Sequence, residues 1–214
     1  MDPLVVLDGV GVSLGGKPVL RDVDLTVTPG ETVGISGPNG SGKTTIVRVL
    51  ATLIKPDQGG AVVLGADLDS SDFYAIRRMI GLIGHVPALI PELSLRENLS
   101  HYARLGGIDE DRIDPVLDVV GLDSASDRRA SASSFGMKRR VEVAHLLLAR
   151  PRIVLLDEAT SGLDTEAREL IDALIDRTTA ADGAVVMVSH DAEALASVCS
   201  RVLRIGGGRL EPVT

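Results

Sequence analysis

The sequence predicts an α/β fold built on a mostly parallel sheet, and three observations carry that prediction. Short apolar, β-branched runs at 33–36, 153–156, 184–188 and 202–205 have the length and continuity of strands buried on both faces. They alternate with helical stretches at about 42–53 and about 163–179, the order expected of parallel strands joined by crossover helices. Between 93 and 150 the pattern changes. Apolar residues there recur at spacings of three and four, as Leu95, Leu99, Tyr102 and Leu105 and then as Met137, Val141, Ala144 and Leu148, which marks an inserted set of helices.

Taken in order, residues 4–33 read as short strands separated by turn residues at Gly9, Gly15 and Gly16, then Pro29 and Gly30, so a small β unit opens the chain. The strand at 33–36 runs into a glycine-rich turn and a helix that ends before Pro56. Residues 61–64 and 79–83 read as further strands, after which Pro87 and Pro91 interrupt regular structure. The expected organisation is one domain over 1–214, with a core of about 1–85 and 151–214 around a helical subdomain of about 86–150.

Composition narrows the function. The 214 residues, 44% hydrophobic and 24% charged, suffice for one domain with a real core. A formal net charge of −8 argues against a nucleic-acid partner, because phosphate backbones are gripped by clustered Lys and Arg. Cys199 is the only cysteine, so no internal disulfide can form; a reducing cytoplasm and a helix-packed small apolar role are expected. The N-terminus lacks the basic leader and apolar core of a signal peptide, and the apolar runs fall far short of the ~18 residues that cross a bilayer. Any membrane contact is therefore expected to go through a partner.

Chemistry concentrates first at Gly37, Pro38, Asn39, Gly40, Ser41, Gly42, Lys43 and Thr44, which fill the eight-position phosphate-loop pattern between a predicted strand and a predicted helix. The glycines let backbone N–H groups turn toward phosphates, and the helix N-terminus adds partial positive charge. Lys43 supplies a full charge and Thr44 a hydroxyl for Mg²⁺. The alternative, a glycine-rich turn that happens to carry a lysine, leaves this strand–loop–helix context unused. At the end of the 153–156 run stand Asp157 and Glu158, at the carboxyl edge of the sheet where such folds bind ligands. Asp157 suits the Mg²⁺ hydration shell and Glu158 the activation of an attacking water. Without the phosphate loop, the same two acids would serve simply to cap the following helix.

Over essentially its whole length the chain resembles an ABC-family ATPase: the phosphate loop and Asp157–Glu158 are joined by further ordered motifs. Residues 133–140, SSFGMKRR, resemble the family's signature segment, with Ser134 and Gly136 in the positions that contact the γ-phosphate held by the other subunit. Ser133, Phe135 and Met137 depart from the usual Leu, Gly and Gln, and the Phe135 side chain is expected to point away from nucleotide. Residues 161–164, including Asp164, resemble the D-loop at the subunit interface. His190, just past the 184–188 strand, resembles the switch histidine. The resemblance implies a P-loop NTPase (RecA-like) core with an N-terminal antiparallel β subdomain and an inserted helical subdomain. It further implies ATP and Mg²⁺ as cofactors, nucleotide contacts from 37–45 including Thr45, and catalytic roles for Glu158, His190 and Lys43, with metal ligation at Thr44 and Asp157.

Two departures stand out. Residues 81–99, GLIGHVPALIPELSLRENL, put His85 where the family carries a glutamine beside Mg²⁺ and the attacking water. Magnesium prefers oxygen ligands, so His85 is expected to act through water or mainly on the partner, and to make activity more pH-sensitive. Leu14 stands where the family stacks an aromatic under adenine, which predicts loose nucleotide selectivity.

The partners implied are a transmembrane permease subunit and a second nucleotide-binding subunit, a second copy of this chain, with the protein cytoplasmic and peripheral on the inner face of the cell membrane. The compact length and the GH-x-P element before ELSLRENL resemble export-type subunits, including the haem exporter of cytochrome c maturation; antibiotic and drug exporters of the ABC-2 type share much of this. A soluble, non-transport ABC ATPase and a plain phosphate-loop kinase are the alternatives.

Overall fold

The computed structural model describes residues 2–70, 73–160 and 162–213. Its strands fall into two sheets. The first is antiparallel in the order β2-β1-β4-β5, built from β1 (Val5–Leu14), β2 (Lys17–Val27), β4 (Gln58–Val63) and β5 (Ala66–Asp67). Gly15 and Gly16 turn β1 into β2 as expected. Gly9, by contrast, does not break the strand: at φ +60° it sits inside β1, where the pairing with β2 slips between Leu7 and Val10. Such an extra residue is a bulge that bends the strand while pairing resumes on both sides.

The second sheet has the order β10-β9-β3-β8-β7-β6, from β3 (Thr32–Ser36), β6 (Ile80–Ile83), β7 (Ile153–Asp157), β8 (Ala184–Ser189), β9 (Arg201–Gly206) and β10 (Arg209–Pro212). All neighbours are parallel except β10 on β9. Both β3 and β7 are buried at every position, because helices or the first sheet cover each face. Alternation along β7 sorts the side chains: Ile153 and Leu155 join a core shared with the antiparallel sheet and α1 (Lys43–Leu50). Val154 and Leu156 join a second core with α3 (Leu95–Gly106), α4 (Ile113–Val119), α5 (Phe135–Ala149) and α6 (Thr165–Ala180). Each fully buried Leu or Ile in these cores contributes roughly 1.5–3 kcal/mol.

The helix boundaries follow their caps. Ser94 and Glu97 form a reciprocal capping box at the start of α3. Asp164 caps α6 through Ala167 N–H, so that helix begins at Thr165 rather than at 163. Asp191 caps α7 (Ala192–Val198), and Cys199 lies just past its end, half-buried with Sγ 3.9 Å from Met187 Sδ. The predicted strand at 79–83 starts one residue later, since Met79 closes a 3₁₀ turn over Arg77–Met79 that follows α2 (Phe73–Ile76). Among the described residues no helix is long and apolar enough to cross a membrane.

Candidate functional site

β8 lies between β3 and β7, so the carboxyl ends of three adjacent parallel strands bring the 37–44 loop, Asp157–Glu158 and Ser189–His190 to one edge of the sheet. At Gly37 a Cβ would fall 2.6 Å from Ile205 O, and at Gly42, where φ is +112°, it would fall 2.8 Å from Leu20 Cδ2. The Ile205 backbone closes Gly37 to any larger residue and the positive φ disfavours one at Gly42, so the loop packs closely against β9 and β2. Gly42 is also the N-cap of α1 and offers no side chain to cap it. The first-turn N–H groups of a helix have no partner within the helix, so they are available to a ligand at this point.

Lys43 is buried and folds back over the loop: Nζ donates to Gly37 O at 2.7 Å and to Pro38 O at 3.2 Å, and lies 3.9 Å from Glu158 Oε1. Thr44 Oγ1 and Asp157 Oδ1 are 3.4 Å apart. A cavity of about 250 Å³ opens here, lined by Asn39, Gly40, Gly42, Lys43, Thr44, Thr45, Asp157 and Glu158, with Val19 of β2 at its side. Ser41 Oγ is buried beside this loop and has no hydrogen-bond partner among the described residues. A buried cation over a cradle of loop backbone, an orphaned hydroxyl and an uncapped helix start fit a polyphosphate. The paired oxygens of Thr44 and Asp157 fit Mg²⁺, a hard cation that takes oxygen ligands.

Glu158 holds the other half of the edge. Its φ of +53° is a left-handed conformation that costs roughly 1–2 kcal/mol for a residue with a side chain. The backbone is pinned by Glu158 N–H donating to Val188 O at 3.0 Å. Ser189 Oγ donates to Glu158 Oε2 at 3.2 Å, and His190 Nδ1 lies 3.1 Å from both carboxylate oxygens. His190 itself is largely exposed and opens on its far side onto a second cavity of about 330 Å³ between α6 and α7 that does not reach the loop.

Ser134, Gly136 and Asp164 form a separate group on the same chain, with Ser134 and Asp164 exposed and Gly136 half-buried. Ser134 is the N-cap of α5, its Oγ accepting from Met137 N–H at 3.2 Å. Phe135 turns aside, its ring stacked by the Arg139 guanidinium with 5.2 Å to the centroid. Asp164 faces Gly136, and Arg140 Nη2 joins the two helices by reaching Asp164 Oδ1 at 3.7 Å and Glu166 Oε2 at 2.8 Å. None of these residues lines the phosphate-loop cavity. Nor do His85, exposed after β6, or Leu14, half-exposed at the end of β1. Ser161, which the sequence groups with Asp164, lies outside the described residues.

Sequence reasoning did not find Val19, Ser189, Arg140, or the buried pair Arg139–Glu142. Ser189 had a signal, adjacency to His190; the others act through contacts that no spacing reveals.

The family model described as "ABC transporter" matches residues 20–161, two thirds of the chain and the span that holds the loop, Ser134 and Asp157. The chain is 32% identical over 98% of its length to the uncharacterized ABC transporter ATP-binding protein YdbJ of Bacillus subtilis (strain 168), covering 68% of that protein. It is 34% identical over 94% of its length to the Nod factor export ATP-binding protein I of Rhizobium etli, covering 64%, and 37% identical over 92% to the methionine import ATP-binding protein MetN 1 of Burkholderia lata, covering 59%. It thus spans about two thirds of the length of these relatives. A solved ATP-binding subunit of an ABC transporter superposes with a TM-score of 0.87 at 27% identity, over 97% of this chain and 88% of that one. With the phosphate loop, the acid pair and the histidine on one sheet edge, these likenesses establish that the chain belongs to the ABC transporter family, as an ATP-binding domain.

Proposed function

We propose that this chain hydrolyses ATP to power export through a separate transmembrane permease, working as one of two identical nucleotide subunits. The single observation that carries the reading is Glu158, held in a strained conformation between Lys43 and His190 at the mouth of the phosphate loop. Residues 37–45 bind the triphosphate, Lys43 by charge and the loop by its N–H groups. Glu158 orients a water and accepts its proton as the water oxygen bonds to the γ-phosphorus and the bond to the ADP oxygen breaks. His190 holds the Glu158 carboxylate and reports loss of the γ-phosphate. Mg²⁺, held by Thr44 and Asp157 when bound, neutralises charge on the phosphate oxygens.

Ser134 is exposed, Gly136 half-buried, and neither lines the loop cavity of its own chain, which supports their use on ATP held by a second copy, with Asp164 at the shared interface. The segment after His85 bears on the permease, and the subdomain division at about 86 and 150 separates the part that engages the partner's nucleotide from the part that binds its own. The protein then sits on the inner face of the cell membrane through that permease. The direction is export, supported by the Nod factor export relative; the cargo, haem or a drug-like molecule, is chosen by the membrane subunit.

The test is Mg²⁺-dependent phosphate release by the purified chain, with Lys43→Ala beside it. Turnover that Lys43→Ala removes together with nucleotide binding supports the reading; turnover that survives it shows that hydrolysis occurs elsewhere.

A further inference from the structure

A buried polar cluster lies on α5, and none of its residues lines the phosphate-loop cavity. Arg139, one turn beyond Ser134 on α5, is fully buried at 0% exposure. Its Nη1 donates to Gly84 O at 2.8 Å and to Glu142 Oε2 at 2.7 Å, and its Nη2 donates to His85 O at 3.2 Å. Phe135 covers one face of the guanidinium, and Nε is buried without a hydrogen-bond partner among the described residues. Glu142, also buried, uses its other oxygen to accept the Ala88 N–H at 2.9 Å. From α3, the Tyr102 hydroxyl donates to Ala88 O while its ring stacks on His145 at 4.4 Å.

An ion pair taken out of water is a poor way to stabilise a core, since well-packed apolar residues of similar volume usually do as well or better. What this pair adds is geometry. The planar fork of Arg139 fits two successive carbonyls, and Glu142 fixes a third backbone group of the same segment. One turn of α5 thus grips 84–88 at three backbone points, in the stretch between β6 and α3. The N-terminus of that same helix presents Ser134 and Gly136.

We propose that Arg139 and Glu142 are positioning residues that clamp 84–88 to α5, so that engagement of nucleotide at Ser134 and Gly136 moves the 84–88 segment as one body with the helix. The inference rests on the proposed function, because it takes Ser134 and Gly136 as nucleotide groups and the segment after His85 as the surface toward the permease. Without the clamp, α5 would respond to nucleotide while 84–88 would lag behind it.

The test uses the purified full chain and the double substitution Arg139→Met/Glu142→Leu, which removes both charges and leaves neither one unpaired in the core. Two quantities are read: amide hydrogen exchange across 84–92 with ATP against ADP, and kcat with KM for ATP. In the unsubstituted chain, ATP changes exchange at 84–92. The double variant keeps its melting temperature and its KM, loses the ATP-dependent change at 84–92, and falls about fivefold in kcat, a loss of the size expected for one coupling element. Arg139→Lys, which keeps the charge and loses the fork, falls between the two. Should the double variant fail to fold, Glu142→Gln serves instead: it keeps the acceptor for Ala88 N–H, weakens the grip of Arg139, and reduces the ATP-dependent change. A variant that folds and keeps both the exchange response and kcat overturns the clamp. An unsubstituted chain that hydrolyses ATP with no response at 84–92 overturns the clamp alone, whereas one that neither binds nor hydrolyses ATP overturns the proposed function and the clamp with it.

Discussion

His190 Nδ1 lies 3.1 Å from each carboxylate oxygen of Glu158, so a single ring nitrogen spans the fork of the acid. With Ser189 Oγ on Oε2 at 3.2 Å, the carboxylate is aimed by two neighbours from the end of β8 rather than by its own backbone alone. Removing the ring should leave phosphate binding intact and misdirect the base. His190→Ala is expected to lower kcat by about 10²–10⁴-fold, the usual worth of a positioned acid–base group, with nucleotide affinity little changed. Single-turnover hydrolysis beside equilibrium nucleotide binding checks this; equal losses in both would assign His190 to binding.

Gly37 admits no side chain, because its Cβ would meet the Ile205 carbonyl at 2.6 Å and the Ile205 Cγ2 at 2.7 Å. Backbone cannot yield as a flexible side chain does, so Gly37→Ala should destabilise the fold by about 1–3 kcal/mol and displace the loop. For a domain of this size that is a fall of roughly 2–4 °C in melting temperature for each kcal/mol, together with loss of nucleotide binding. A melting temperature unchanged in Gly37→Ala would show that the loop runs farther from β9.

His145 gives the stability a pH dependence. Burial pushes its imidazole down from the ordinary 6.5 to about 4. The unfolded chain therefore takes up a proton as pH falls below 6.5 while the folded chain does not. The stability due to a neutral His145 is complete above pH 6.5 and is lost as pH falls toward about 4. Over that window the loss is roughly 3 kcal/mol. His145→Phe keeps the stack on Tyr102 and should flatten that part of the curve. Denaturant unfolding of both chains between pH 4.5 and 7 measures it, and equal slopes would contradict it.

Leu14 is 41% exposed at the end of β1 and cannot stack as an aromatic ring does. ATP and GTP analogues are expected to inhibit hydrolysis comparably, and Leu14→Tyr to tighten ATP binding by a few fold, the ~1 kcal/mol of one stacking contact. Strict ATP preference in the unsubstituted chain would remove Leu14 from the adenine site.

The features legible in the sequence were those whose requirements are local. The phosphate loop needs glycines at points where a Cβ cannot fit, and the strand before Asp157 is apolar throughout because both its faces are covered. Gly9 was misleading for the same reason in reverse: a left-handed glycine looks alike in a turn and in a bulge, and only pairing with β2 separates them. Arg139 and Glu142 were illegible because their partners are the backbone of Gly84, His85 and Ala88, and backbone atoms leave no mark in a sequence. Read alone, SSFGMKRR is a capped basic helix start, and only the folded chain turns Arg139 inward and Arg140 toward Asp164.

The central claim is that two copies of this chain close on ATP and reopen when Glu158 drives its hydrolysis. It is tested most directly by sedimentation of purified Glu158→Gln with Mg²⁺ and either ATP or ADP. The expected result is a dimer with ATP, a monomer with ADP, and turnover reduced by at least about 10²-fold. A variant that stays monomeric with ATP, or that hydrolyses it at the unsubstituted rate, would contradict the account.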